Sequence, residues 1–184
     1  LNAEYSPSAA DIAAGTVTLT LTAQSAAPCV EASDAMVLTI SEQATADAGV
    51  DATICEGSTY TMIATATNAA GILWTTSGTG TFNDATIEDA VYTPSQNDID
   101  DGSVILTMTV ISASPCNNAV DQMILGISRQ AVVYAGIDAT ICEGSTYELT
   151  GATTSNATSL LWTTSGDVSF SSTTVLNPVY TPGV

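Results

Sequence analysis

Asp51-Ala52-Thr53-Ile54-Cys55-Glu56-Gly57-Ser58-Thr59-Tyr60 returns without a change as Asp138-Ala139-Thr140-Ile141-Cys142-Glu143-Gly144-Ser145-Thr146-Tyr147. A ten-residue block copied letter for letter marks an internal repeat, and a repeat sets the frame for every other reading. The offset is 138 − 51 = 87 residues. At that offset 34 of the 56 positions from Tyr5 to Tyr60 match their partners. Further on the offset becomes 88: Leu73-Trp74-Thr75-Thr76-Ser77-Gly78 reappears as Leu161-Trp162-Thr163-Thr164-Ser165-Gly166, and Val91-Tyr92-Thr93-Pro94 as Val179-Tyr180-Thr181-Pro182. One residue is therefore gained between Tyr147 and Leu161, where a loop is expected.

The frame does not start with the chain. Residues 1–46 read as the back half of a unit, 47–133 as a complete unit, and 134–184 as the front half of a third. The two ends overlap, since Leu176-Asn177-Pro178-Val179-Tyr180-Thr181-Pro182 resembles Leu1-Asn2-Ala3-Glu4-Tyr5-Ser6-Pro7. Two readings follow. The chain is a window on a longer array, or a front half from one chain is completed by the back half of the next. Head-to-tail exchange of that second kind builds open fibres. Under either reading, a lone half-unit cannot close its core.

Within the complete unit the patterning is that of strands. Thr59–Thr67 alternates, with Tyr60, Met62, Ala64 and Ala66 on one face. Ser103–Ser112 places Val104, Leu106, Met108 and Val110 on one side, and Asp121–Ser128 places Met123, Leu125 and Ile127. Period-2 alternation is the mark of a half-buried strand. Asp51–Cys55 and Ile72–Ser77 read as further strands, as does Val91–Thr93, stopped by Pro94. Asn68–Gly71, Gly78–Gly80 and Asn97–Gly102 read as turns, and Asn83–Asp89 as a polar edge or loop. About seven short strands in 87 residues predict an all-β fold of immunoglobulin-like two-sheet sandwiches. Burying one Trp removes about 150–250 Å² from water. Trp74 and Trp162 are therefore the expected centres of their cores, with Tyr92, Leu106, Met108 and Leu125 around Trp74.

The order ICEGSTY, LWTTSGTGTF, VYTPS, an alternating V-L-T strand, PC, then D-x-M-x-L-x-I resembles tandem immunoglobulin-like or PKD-like modules. Such modules occur in very large surface adhesins and filament proteins of Bacteroidota-type gliding bacteria. The resemblance spans the whole chain. It implies an extracellular array exported by type IX secretion and serving as spacer, adhesin or filament, with no catalytic residues.

Charge narrows the function classes. Nineteen acidic residues face a single basic one, Arg129, for a net charge of −18. Such a chain repels nucleic acid and anionic lipid. No apolar run approaches the roughly 18–20 residues of a membrane-spanning helix. The expected partners are neighbouring repeats or copies of the same chain in a fibre, and surface glycans through the loops Ala113–Ala119 or Asn83–Asp89. The absence of His removes the usual base for a Ser or Cys nucleophile. The carboxylates lie in turns, and none recurs as a pair in all copies. An enzyme is not expected.

Four cysteines suggest an oxidising, extracellular setting. A Cys55–Cys116 bond would close a loop of 116 − 55 = 61 residues, worth about 4 kcal/mol in the loop-entropy account, leaving Cys29 and Cys142 to neighbouring units. Rival pairings are Cys29–Cys55 with Cys116–Cys142, or bonds that all reach neighbours. In a sandwich the first turn and the last hairpin lie at opposite poles, which favours the neighbours. No cofactor is expected. The one metal reading is weak: Asp98, Asp100 and Asp101 form an oxygen-rich turn able to hold Ca²⁺, as do Asp47, Asp51 and Glu56 near a unit junction. The first copy keeps only Asp11 of the three acids, so a plain solvated turn is the simpler account. Asn156-Ala157-Thr158 is an N-x-T glycosylation sequon.

Overall fold

A computed structural model describes residues 3–166 and 169–183. The chain is all-β, with two helices of six residues among the described elements. It divides into two compact units, Leu1–Gly126 and Ile127–Val184. The first opens with α1 (Ala9–Ala14) and the hairpin β1 (Thr16–Ala23) and β2 (Ala32–Thr39). Then come β3 (Thr45–Asp47), β4 (Ala52–Cys55), β5 (Tyr60–Thr61), β6 (Thr65–Thr67), β7 (Ala69–Thr76), β8 (Thr81–Phe82) and β9 (Val91–Thr93). Helix α2 (Gln96–Asp101) leads into β10 (Ser103–Ser112) and β11 (Ala119–Ser128). The second unit holds β12 (Val132–Tyr134), β13 (Tyr147–Glu148), β14 (Thr153–Ser155), β15 (Ser169–Phe170) and β16 (Val179–Thr181).

Residues 47–126 with their flanking strand β3 close one core. The main sheet runs β4-β11-β10-β7, beside the pair β3-β6 and the sheet β5-β9-β8. Trp74, Tyr92, Leu106, Met108, Val110, Met123 and Leu125 are buried together with Ala44, Ala48, Met62, Ala90 and Val104. Alternation along β10 and β11 supplies this: every second side chain points inward, and Thr, Gln or Ile faces out. Antiparallel β10–β11 sets Leu106 opposite Met123, and antiparallel β10–β7 sets Met108 opposite Trp74. Strand β4 runs parallel to β11. The Ala48 N–H donates to the Asp121 carboxylate, the Ile124 N–H to that of Asp51, and Thr53 lies against Gly126. All three pairs share the offset 73, and only a parallel register keeps an offset constant.

Three local expectations change. Thr59–Thr67 is two strands: β5 pairs with β9, and β6 pairs with β3. The segment crosses between sheets after Thr61 while its inward side chains keep alternating; alternation reports the face, not the partner. The turn expected at Asn68–Gly71 shrinks to Asn68, at φ +52°, and β7 starts at Ala69. The acidic turn Asn97–Gly102 is helix α2. Ser95 Oγ accepts from the Asp98 N–H, and the Ser95 N–H donates back to Asp98, a capping box. Gly102 at φ +78° ends the helix, a conformation that costs glycine little. Six residues are too few to display a 3.6-residue period.

The second unit repeats the front half bond for bond. Trp74 N–H donates to Ala85 O at 2.8 Å, and Trp162 N–H to Thr173 O at 2.8 Å. Trp74 Nε1 reaches Ile87 O, and Trp162 Nε1 reaches Val175 O. The Asn68 amide donates to Gln43 O, and that of Asn156 to Gln130 O. Met62 N bonds to Ala90 O and Leu149 N to Pro178 O, still at offset 87 on the donor side. Val132 pairs with Ser155 where Thr45 pairs with Thr67, so the offset is already 88 there. The extra residue thus lies between Leu149 and Thr153, in the turn at Thr150-Gly151.

Candidate functional site

The first place to look for chemistry is Asp98, which is 1% exposed. Its Oδ1 accepts the Thr79 N–H at 2.8 Å. Its Oδ2 accepts the Gly80 and Ser95 N–H groups at 2.9 Å and the Tyr92 hydroxyl at 2.8 Å. Burial works to raise this carboxyl, but the bonds from Ser95, Thr79 and Tyr92 outweigh it and hold it below the ordinary Asp range. Burial also raises the Tyr92 hydroxyl. Gly78 and Gly80 let the loop close on this carboxylate, since a Cβ on either would overlap Asp98. The group ties the Gly78–Gly80 loop, β9 and α2 together. Its lone pairs face N–H and O–H donors rather than a vacant position. The cue in the sequence was the Tyr-x-Pro-Ser-x-x-Asp string, present also as Tyr5 to Asp11, where Tyr5 and Ser8 bond to Asp11.

The other calcium candidates do not gather. Asp100 and Asp101 are exposed on α2, and Asp100 accepts from Gln96. Asp47 accepts the Gly49 N–H and Asp51 the Ile124 N–H, and Glu56 sits in the turn after β4. Among the described residues no three His, Cys, Asp or Glu side chains converge. No helix among them is long and apolar enough to cross a membrane.

The Cys55–Cys116 pairing is not formed, and all four cysteines are free thiols. The parallel run of β4 along β11 explains why. Cys116 precedes β11, whereas Cys55 lies two residues past Thr53, the neighbour of Gly126 near its other end. Ten strand residues put roughly 30 Å between the two positions, and a disulfide needs Cα atoms within about 7 Å. Cys116 Sγ instead donates to Ser41 O at 3.3 Å. The sequon Asn156 is exposed at φ +55°, and its side-chain nitrogen is engaged by Gln130 O.

The loops named for glycan contact are tied up internally. Asn83 Oδ1 accepts the Val91 N–H, and Asp84 accepts both the N–H and the hydroxyl of Thr86. The Ser112 hydroxyl donates to Asn117 O and the Ser112 N–H donates to Asn118 Oδ1, closing the loop Ala113–Ala119.

What the structure leaves open are two apolar faces. Leu21 and Met36 on the β1–β2 hairpin are 77% and 57% exposed, while their counterparts Met108 and Met123 are 0% and 1%. In the second unit Trp162 and Tyr180 are half-buried, whereas Trp74 and Tyr92 are fully buried. Trp162 was expected to centre a core; it lines instead two hollows of about 420 and 310 Å³. In the complete unit the hairpin β10–β11 covers the equivalent tryptophan.

No protein family and no curated protein matches the chain.

Proposed function

We propose that this chain is a structural segment of a secreted, cell-surface filament, stalk or adhesin. On this reading it is built from immunoglobulin-like β-sandwiches of about 87 residues laid end to end. Residues 1–46 are the back half of one unit, 47–133 a complete unit and 134–184 the front half of the next. The observation that carries the reading is the internal copy: Asp51–Tyr60 returns unchanged at Asp138–Tyr147, and Trp74 and Trp162 each donate the same main-chain bond at 2.8 Å.

The rest of the chain is consistent with a mechanical role. Among the described residues no buried side-chain nitrogen or oxygen lacks a partner, as a load-sharing fold requires. The net charge of −18 keeps a long assembly soluble and its flanks mutually repelling. On this reading the four cysteines, free thiols within one chain, would link neighbouring units rather than staple one unit.

Electron microscopy of the native material tests the proposal. Beaded strands or fibres with a period near one sandwich are the expected result. Short isolated particles that bind glycans would replace it with a binding-module reading.

A further inference from the structure

We infer that the outer face of the sheet β4-β11-β10-β7 is a lateral contact, on which a second copy of this chain packs face to face. This rests on the filament reading above and names the flank by which filaments lie together.

The side chains that alternate away from the core stand in cross-strand rows. Leu73, Thr109 and Val120 make one row, Thr75, Thr107 and Gln122 the next, and Ile105 with Ile124 a third. Beyond them Thr53 lies against Gly126. None of these residues is charged, in a chain with nineteen acidic ones. The carboxylates beside the sheet turn elsewhere: Asp51 accepts the Ile124 N–H, and Asp121 accepts the Ala48 N–H. Strands of the other sheets do display acids, since Asp47 is exposed on β3 and Glu148 on β13. The first copy keeps the neutral face with different letters. There Thr18 stands opposite Val37, Thr20 opposite Ala35 and Thr22 opposite Ser33. Neutrality therefore belongs to the face rather than to any one residue.

The face is also apolar beyond the ordinary. Leu73, Ile105, Val120 and Ile124 are 44%, 41%, 59% and 49% exposed, and Ile105 and Ile124 are direct cross-strand partners. Single exposed aliphatic residues are common, but a contiguous patch marks a contact surface.

Charge selects the occupant. A cationic partner would be drawn to carboxylates, and this face has none to offer. Two chains of −18 each repel one another. A neutral face is where they can meet without setting carboxylate against carboxylate. Area agrees. Strands of 4, 10, 10 and 8 residues, at about 3.3 Å per residue and 4.8 Å apart, cover roughly 500 Å². Two such faces bury roughly 1,000 Å², the low end for a specific interface. The same patch serves both copies, so the contact is isologous. Along an array each unit offers it again, and repetition multiplies a weak contact. Salt screens the repulsion of the remaining surface, so pairing strengthens as salt is raised.

Sedimentation velocity of the full chain with its thiols kept reduced, over a wide concentration range at low and high salt, is the test. The expected result is a monomer–dimer equilibrium that salt favours. Ile124→Asp sets a carboxylate on both sides of the seam and weakens pairing by about 100-fold or more. Thr107→Glu, in the middle row, does the same. Val50→Asp, at a site 84% exposed and outside every strand, leaves pairing unchanged. None of the three residues belongs to the buried core, so all three variants keep the cooperative melt. A wild-type chain that stays monomeric overturns the inference, as does association indifferent to both Ile124→Asp and Thr107→Glu. A monomer that binds a glycan through this face, and loses it in Ile124→Asp, overturns it in favour of a glycan site. Monomers beside beaded native strands remove the lateral contact alone. Dimers sensitive to Ile124→Asp, beside native material without fibres, remove the filament reading and keep the contact.

Discussion

Asp98 concentrates the local cost of this fold in one carboxylate. Removing it with Asp98→Ala leaves the part-buried N–H groups of Thr79 and Gly80 without their acceptor, and the buried Tyr92 hydroxyl with Thr76 alone. Leaving such groups unsatisfied costs about 3 kcal/mol, measured as a shift in the urea midpoint. Asp11→Ala, at an exposed copy of the same cap, should leave the global midpoint in place and only fray α1, read from faster amide exchange there. The sign of the pH effect follows from the lowered carboxyl of Asp98. The folded state takes up this proton less readily than the unfolded chain. The stabilisation is therefore complete above the unfolded Asp value of about 3.9 and lost as pH falls through the lower folded value. Acid titration of the complete unit's melt should show a fall in stability below about pH 4, and Asp98→Asn should flatten it. The sequence offered this residue as a calcium ligand in a turn. Tyr92, Ser95 and the Gly78–Gly80 loop were all in view, but only the folded chain brings residues 79 and 98 together.

Strands of identical pattern differ here by what covers them. β10 and β1 share the alternation of Val and Leu with Thr, yet Met108 is sealed and its counterpart Leu21 stands in water. Met108→Ala should cost about 2–5 kcal/mol, the range for emptying a packed core site, read from denaturant unfolding. Leu21→Ala in the dilute monomer should change stability by less than about 0.5 kcal/mol. The same contrast explains the missing strands of the second unit. Residues 157–164 repeat much of the β7 sequence but lack the β10 edge to bond to, and a strand is defined by its neighbour. The short strand pairs β5–β9 and β6–β3 show the converse. One alternating run was divided between two sheets because its two ends meet different partners.

For the whole molecule, the prediction concerns where stability resides. Backbone amides open locally with free energies set by burial and bonding. Hydrogen exchange of the dilute chain should find β7, β10 and β11 the most protected. Amides of 139–142 and 157–164 should exchange orders of magnitude faster than their counterparts in β4 and β7.

The chain's letters alone were enough for the repeat, the strand class and the inward residues of β10 and β11, because copying and alternation are local properties of the string. Partner choice needed three dimensions: which sheet each half of Thr59–Thr67 joins, that β4 runs parallel to β11, and hence that Cys55 and Cys116 stand at opposite ends of one unit. Contacts across some 70 residues arise from packing, and packing depends on every strand at once, so no short stretch of sequence encodes them.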